Sequence, residues 1–221
     1  MKLKDTVALL VLVAVPGAFI VADDNTPMLS LVEAVCIDYA ASGDMQQGTY
    51  TRCHRDYAYE QYEIQDITMS FGGFSQSTNQ HSITIGPTIY VIDLSTNTGT
   101  KMTNPMYDQM VNAMQNSGPG DTADAFIAAM GYTPTGATKT IADTSCDVYS
   151  APMLGTVCLT DEGLMLEQSI MGNLMVATNV SIGDGGPEEN YTLYQDVPIT
   201  AGPDLSNMPG LQDLMNQGQQ Q

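Results

Sequence analysis

Four methionines, Met102, Met106, Met110 and Met114, recur every four residues in this chain, and soft side chains at that spacing share one face of a helix. Such a stripe has three readings. It packs a core; with Phe126 and Met130 it lines a cavity for irregular hydrophobic ligands; or its thioethers hold Cu(I). The copper reading lacks imidazole partners, since neither His54 nor His81 stands beside the stripe. Other candidates for chemistry are sparse. His54 sits in "RCHRD" between Arg52 and Arg55 and reads as an exposed strand histidine. The loop Asp184 to Asn190, "DGGPEEN", lacks the alternating ligand spacing of a calcium loop and reads as a solvated turn. The chain contains no G-x-S-x-G, H-E-x-x-H, Walker or dinucleotide-binding motif, so neither an enzyme nor a cofactor is expected.

The four cysteines, Cys36, Cys53, Cys146 and Cys158, include no C-x-x-C pair, which argues against a metal site. "CDVYSAPMLGTVCL" reads as two short strands about a Pro/Gly turn and sets Cys146 opposite Cys158. Elimination leaves Cys36 with Cys53. Disulfides imply an oxidising compartment, and the first residues agree. "MKLKD" is followed by the apolar run "TVALLVLVAVPGAFIVA" and then by Asp23-Asp24, the order of a secretory leader, with cleavage expected after Ala22. The run is short for a spanning helix, Pro16-Gly17 interrupts it, and no cysteine follows the cleavage point to take a lipid. The expected product is an exported protein, periplasmic or extracellular, with no stable membrane insertion.

A formal net charge of −19 repels phosphate backbones and anionic headgroups, which excludes nucleic acid as a partner. The elements that would position the candidates follow from periodicity. Residues 23–201 are expected to form one domain and 202–221 a Pro-, Gly- and Gln-rich tail. Met28, Leu31, Val32, Val35 and Tyr39 predict an opening helix that stops at Ser42-Gly43. Residues 48–70 predict two or three strands, "HSITI" and "TIYVIDL" a hairpin about Gly86-Pro87, and "STNTG" a turn into a strand ending at Lys101-Met102. Two short helices follow, at 105–116 and 122–130. Strands return in "TKTIADTSCDVYS", "TVCLTDEG", "LMLEQSIM" and "LMVATNVSI", the last two joined by a turn at Gly172-Asn173. In the last of these strands Leu174 and Val176 alternate toward the expected cavity. Past "GDGGPEEN" the pattern fades.

Taken in order, "SITI…TIYVIDLSTNTGTKM", "MGYTPTGATKTIADTSCDVYSAPMLGTVCL" and "SIMGNLMV", spanning Ser82 to Ile182, resemble an uncharacterised family of exported bacterial proteins. That family is similar in fold to the periplasmic lipoprotein carriers of the LolA and LolB type. The resemblance implies an α+β fold: a curved antiparallel sheet, or incomplete β-barrel, with short helices covering its concave face over a hydrophobic cavity. The carriers hold their helical lid with an arginine in the cavity; Arg52 and Arg55 flank Cys53 in an early strand and are given no such role, so carrier activity is not transferred. The implied function is binding of a hydrophobic ligand such as a lipid acyl chain, with cavity residues Met106, Met110, Met114, Phe126, Met130, Leu174 and Val176. The alternative is an envelope interaction or sensor protein that uses the half-barrel as a docking surface without a ligand of its own.

Overall fold

The computed structural model describes residues 26–105, 107–117, 127–128, 130–152 and 154–202. The leader, Met106, Phe126, most of the second expected helix and the tail beyond 202 lie outside the described residues.

Strand-forming alternation dominates from residue 35 onward and produces one open, curved sheet of twelve strands. Its first strand, β1 (Val35–Ser42), overturns the expected opening helix. Val35 and Tyr39 fit a helical spacing, yet Val35, Ile37, Tyr39 and Ala41 also alternate with period two, and all four are buried. Cross-strand partners on both sides of β1 decide between the two periods, and β-branched Val and Ile fit the pleated surface. Ser30–Glu33 form a bend ahead of it.

The next strands are β2 (Gln46–Arg55), β3 (Glu60–Phe71), β4 (Phe74–Ile85), β5 (Thr88–Asp93) and β6 (Thr98–Thr103), an antiparallel meander on one side of β1. The hairpin about Gly86-Pro87 and the strand through Lys101-Met102 are where the sequence places them. After α1 (Tyr107–Ser117) come β7 (Thr133–Ile141), β8 (Thr144–Ala151), β9 (Gly155–Leu159), β10 (Met165–Ile170) and β11 (Asn173–Ile182). They continue the sheet on the other side, where β11 pairs antiparallel with β1. The β10–β11 turn is Met171-Gly172, one residue earlier than the sequence suggests. Both residues have positive φ, 50° and 80°, the tight turn whose twist matches a hairpin.

The chain then crosses the sheet as a strap, with a 3₁₀ turn at Glu188–Tyr191, and ends in β12 (Ile199–Ala201), which pairs with β6 in parallel. The sheet is therefore antiparallel throughout except for this last pair. Among the described residues there is one α-helix, and none of the buried apolar clusters draws on it. Strap and strands supply the cover instead.

Both disulfides join cross-strand neighbours. Cys36 and Cys53 are register partners in β1 and β2, and Cys146 in β8 bonds Cys158 in β9 at a Cα–Cα distance of 5.4 Å. Paired residues in an antiparallel sheet point to the same side, so the register sorts the β1–β6 half into two faces. One carries Val35, Ile37 and Tyr39 and continues through Arg52 and His54 to Glu63 and Gln61, then Ser82 and Thr84. The other carries Cys36, Cys53, Tyr62, Ile83 and Tyr90, and one step along the strands Ile64, His81 and Ile92.

Candidate functional site

The strap seals the second face. Tyr191 packs edge-on against Tyr62 with ring centroids 4.9 Å apart, and its hydroxyl donates to the Gly185 carbonyl at 2.7 Å. Arg55 lies 4.1 Å over the Tyr191 ring and pairs with Glu188 and Glu60. Farther along, Val197 and Leu193 close over Ile83 and Ile92, both fully buried. Gly186 makes the crossing feasible: its φ is +77°, and a Cβ there would stand 2.4 Å from the Tyr62 hydroxyl oxygen. Beneath this cover His81 is fully buried. Its Nδ1 is 3.1 Å from the Tyr194 hydroxyl, while Nε2 has no partner in hydrogen-bonding geometry. Burial pushes its pKa down, and the Asn190 backbone offsets part of that shift.

The first face is buried along β1 and open over β2–β4. Sheet curvature brings the Gly163–Met165 segment over β1, where Leu164 and Leu166 join Val35, Ile37 and Tyr39 in the largest buried cluster. The Tyr39 hydroxyl donates to the Met165 carbonyl at 2.7 Å, and burial, partly countered by Arg52, pushes the phenol up to about 12. Between this overhang and strands β2–β4 lies a cleft of about 460 Å³. Its β1 side is apolar, with Val35, Ile37, Leu164 and Met165; its far side is polar, with His54, Gln61, Ser82 and Thr84. A second cleft of about 270 Å³ opens toward the β1–β2 and β10–β11 turns, lined by Tyr50, Ile170, Met171, Leu174 and Met175.

Arg52 lines both clefts. Its guanidinium is 5.7 Å from the Tyr39 ring and 5.4 Å from the Tyr50 ring, and it is ion-paired to Glu63, its register partner in β3. By sequence alone Arg52 flanks Cys53 in an early strand and has no cavity role. The signal that finds it is parity: Tyr50, Arg52 and His54 share the side opposite Cys53. His54 is likewise not an exposed strand histidine. It is half-buried, its Nε2 is 3.0 Å from the Val32 carbonyl, and burial lowers its pKa against a smaller opposing effect of that carbonyl.

Of the expected cavity residues, Leu174 lines the smaller cleft. Val176 is half-buried in β11, at the register position of Ala40. Met110 and Met114 are half-buried on α1, and Met130 is 41% exposed. None of these last four lines either cleft. Among the described residues no cluster of three metal-ligating side chains occurs, and no helix is long and apolar enough to cross a membrane.

These features define a class: one long, curved, open β-sheet with an accessible face and a strapped face. The same fold occurs in an uncharacterised conserved protein from Thermus thermophilus, at a TM-score of 0.50 and 4% identity over 78% of this chain and 92% of that one. MucB is a weaker structural neighbour, alone (TM-score 0.45, 12% identity, 79% of this chain and 61% of MucB) and in complex with MucA(peri) (0.44, 12%, 76% and 56%). The chain thus spans less than two thirds of the MucB chains. No family model matches the sequence, and no curated protein matches it; the likeness is structural only.

Proposed function

We propose that the protein is an exported, non-catalytic binding module for a hydrophobic ligand, held on the accessible face of the sheet. The observation that carries this reading is the larger cleft, where an apolar wall (Val35, Ile37, Leu164, Met165) faces a polar one across a volume in the range of small-molecule sites. Two disulfides support export, since such bonds persist in oxidising compartments. The cleft's titratable groups are already engaged: Arg52 by Glu63 and His54 by the Val32 carbonyl. They fit a binding role better than proton transfer.

The test is native mass spectrometry of exported protein together with displacement of a neutral naphthylamine dye. A bound amphiphile, and dye uptake that falls in Met165→Gln, whose side chain is half-buried at the cleft, are the expected results. Protein that carries no adduct and takes up no dye would overturn the reading.

A second reading, a docking module without its own ligand, is favoured by one specific observation. Phe74 is 83% exposed and Met171 78% exposed, at hairpin tips that project from the same end of the sheet as the β1–β2 turn. Single apolar side chains at such exposure suit insertion into a partner. Photo-crosslinking from position 74 to an envelope protein, with no dye uptake, would favour it.

A further inference from the structure

The charge pattern of the larger cleft is unusual for a fatty-acid site. Among the described residues that line it, Arg52 is the one fixed cation, and Glu63 neutralises it from the adjacent strand. Tyr39 and Tyr50 flank the guanidinium, with ring centroids 5.7 and 5.4 Å from it. The remaining polar wall is uncharged: Gln61, Ser82, Thr84 and a His54 that burial keeps neutral. Around it lies a chain of net charge −19.

We propose that this cleft selects an electrically neutral amphiphile, an alkyl chain whose head group bears hydroxyls or amides, over an acyl carboxylate of the same length. The proposal rests on the reading of the cleft as a hydrophobic-ligand site and names the class of ligand. The alkyl part lies along the apolar wall, where Val35, Ile37 and Leu164 are already buried and half-buried Met165 offers the apolar surface that a chain covers. The head group lies against Gln61, Ser82 and Thr84, which offer both donors and acceptors. A carboxylate in that position gives up its water for hydroxyls and an amide, meets Glu63 beside the one available cation, and enters against the field of an acidic surface. A sugar or amide head faces none of these costs, because hydroxyl-to-hydroxyl hydrogen bonds replace those it makes with water.

The experiment is isothermal titration of the full exported chain at pH 7.5 with two probes of matched alkyl length, octyl glucoside and sodium octanoate, both below their micellar concentrations. Octyl glucoside is expected to bind at least about tenfold more tightly, the scale of one unfavourable charge contact in a partly desolvated site. Glu63→Gln frees the guanidinium and is expected to raise octanoate affinity about tenfold. The wild-type ratio is decisive by itself and does not depend on the variant folding. Octanoate binding as tightly as the glucoside, or more tightly, overturns the proposed selectivity while leaving the hydrophobic-ligand reading intact. Binding of neither probe removes that reading and the selectivity with it.

Discussion

The two faces of the β1–β6 half differ although they alternate along the same strands. In β4, Ile83 points under the strap and is fully buried, whereas its neighbour Thr84 points into the accessible cleft. His81 under the strap and His54 in the cleft make the same contrast with one residue type: both are shifted down by burial, but His54 shares its Nε2 with a carbonyl and His81 leaves its Nε2 without a partner. One face is closed by the strap. The other carries the largest buried cluster around β1 and stays open only beyond it, over β2–β4.

The largest effect expected from this contrast is at Ile83. Ile83→Ala should cost about 3 kcal/mol, as an aliphatic side chain cut back in a closed core does, while Thr84→Ala should stay within about 0.5 kcal/mol. Denaturant melts of the two variants compare the faces directly, and equal losses would break the comparison. Next comes Gly186→Ala, which puts a Cβ at a positive φ and against the Tyr62 hydroxyl; a loss of roughly 2 kcal/mol is expected, read as earlier proteolytic cleavage within residues 183–202.

Acid should act on both faces through their histidines. His81 binds a proton less readily folded than unfolded, so the unfolded state takes up more protons and stability falls as pH drops below the ordinary histidine value near 6.5. The slope is at most about 1.4 kcal/mol per pH unit for one group, and it persists until pH passes the folded-state pKa. His54 contributes with the same sign. The chain has two histidines, so His81→Phe should reduce the stability lost between pH 7 and pH 5.5. An unchanged slope in that variant would place the acid sensitivity elsewhere. The smallest effect belongs to the pair Lys139–Glu167, whose lysine is 45% exposed; Glu167→Gln should cost under about 1 kcal/mol, seen as a shift of a few degrees at most in the melting temperature.

Much of the sheet was legible because local signals and tertiary structure agree. Gly86-Pro87 punctuates a hairpin, "STNTG" turns into β6, and the spacing of Cys146 and Cys158 matches facing strands. Legibility failed where two periods fit the same letters. Val35 and Tyr39 suit a helix and a strand equally, and only the neighbours β2 and β11, one of them more than 130 residues away by register, settle the matter. The strap was invisible for another reason: Tyr191, Leu193, Tyr194 and Val197 have no regular spacing, because each fits a gap in a surface built by other strands. The cleft was least legible of all: it is made from Arg52, His54, Glu63 and Gln61, whose shared face appears only once the register of β2 and β3 is known.

The division between faces is tested most directly by an isoleucine-methyl spectrum recorded as octyl glucoside is added. Ile37 borders the cleft, and Ile83 and Ile92 lie beneath the strap. The Ile37 methyl resonances are expected to move along a saturating curve while those of Ile83 and Ile92 stay in place. Movement of Ile83 and Ile92 with Ile37 unchanged would contradict that division, and would put the binding surface under the strap.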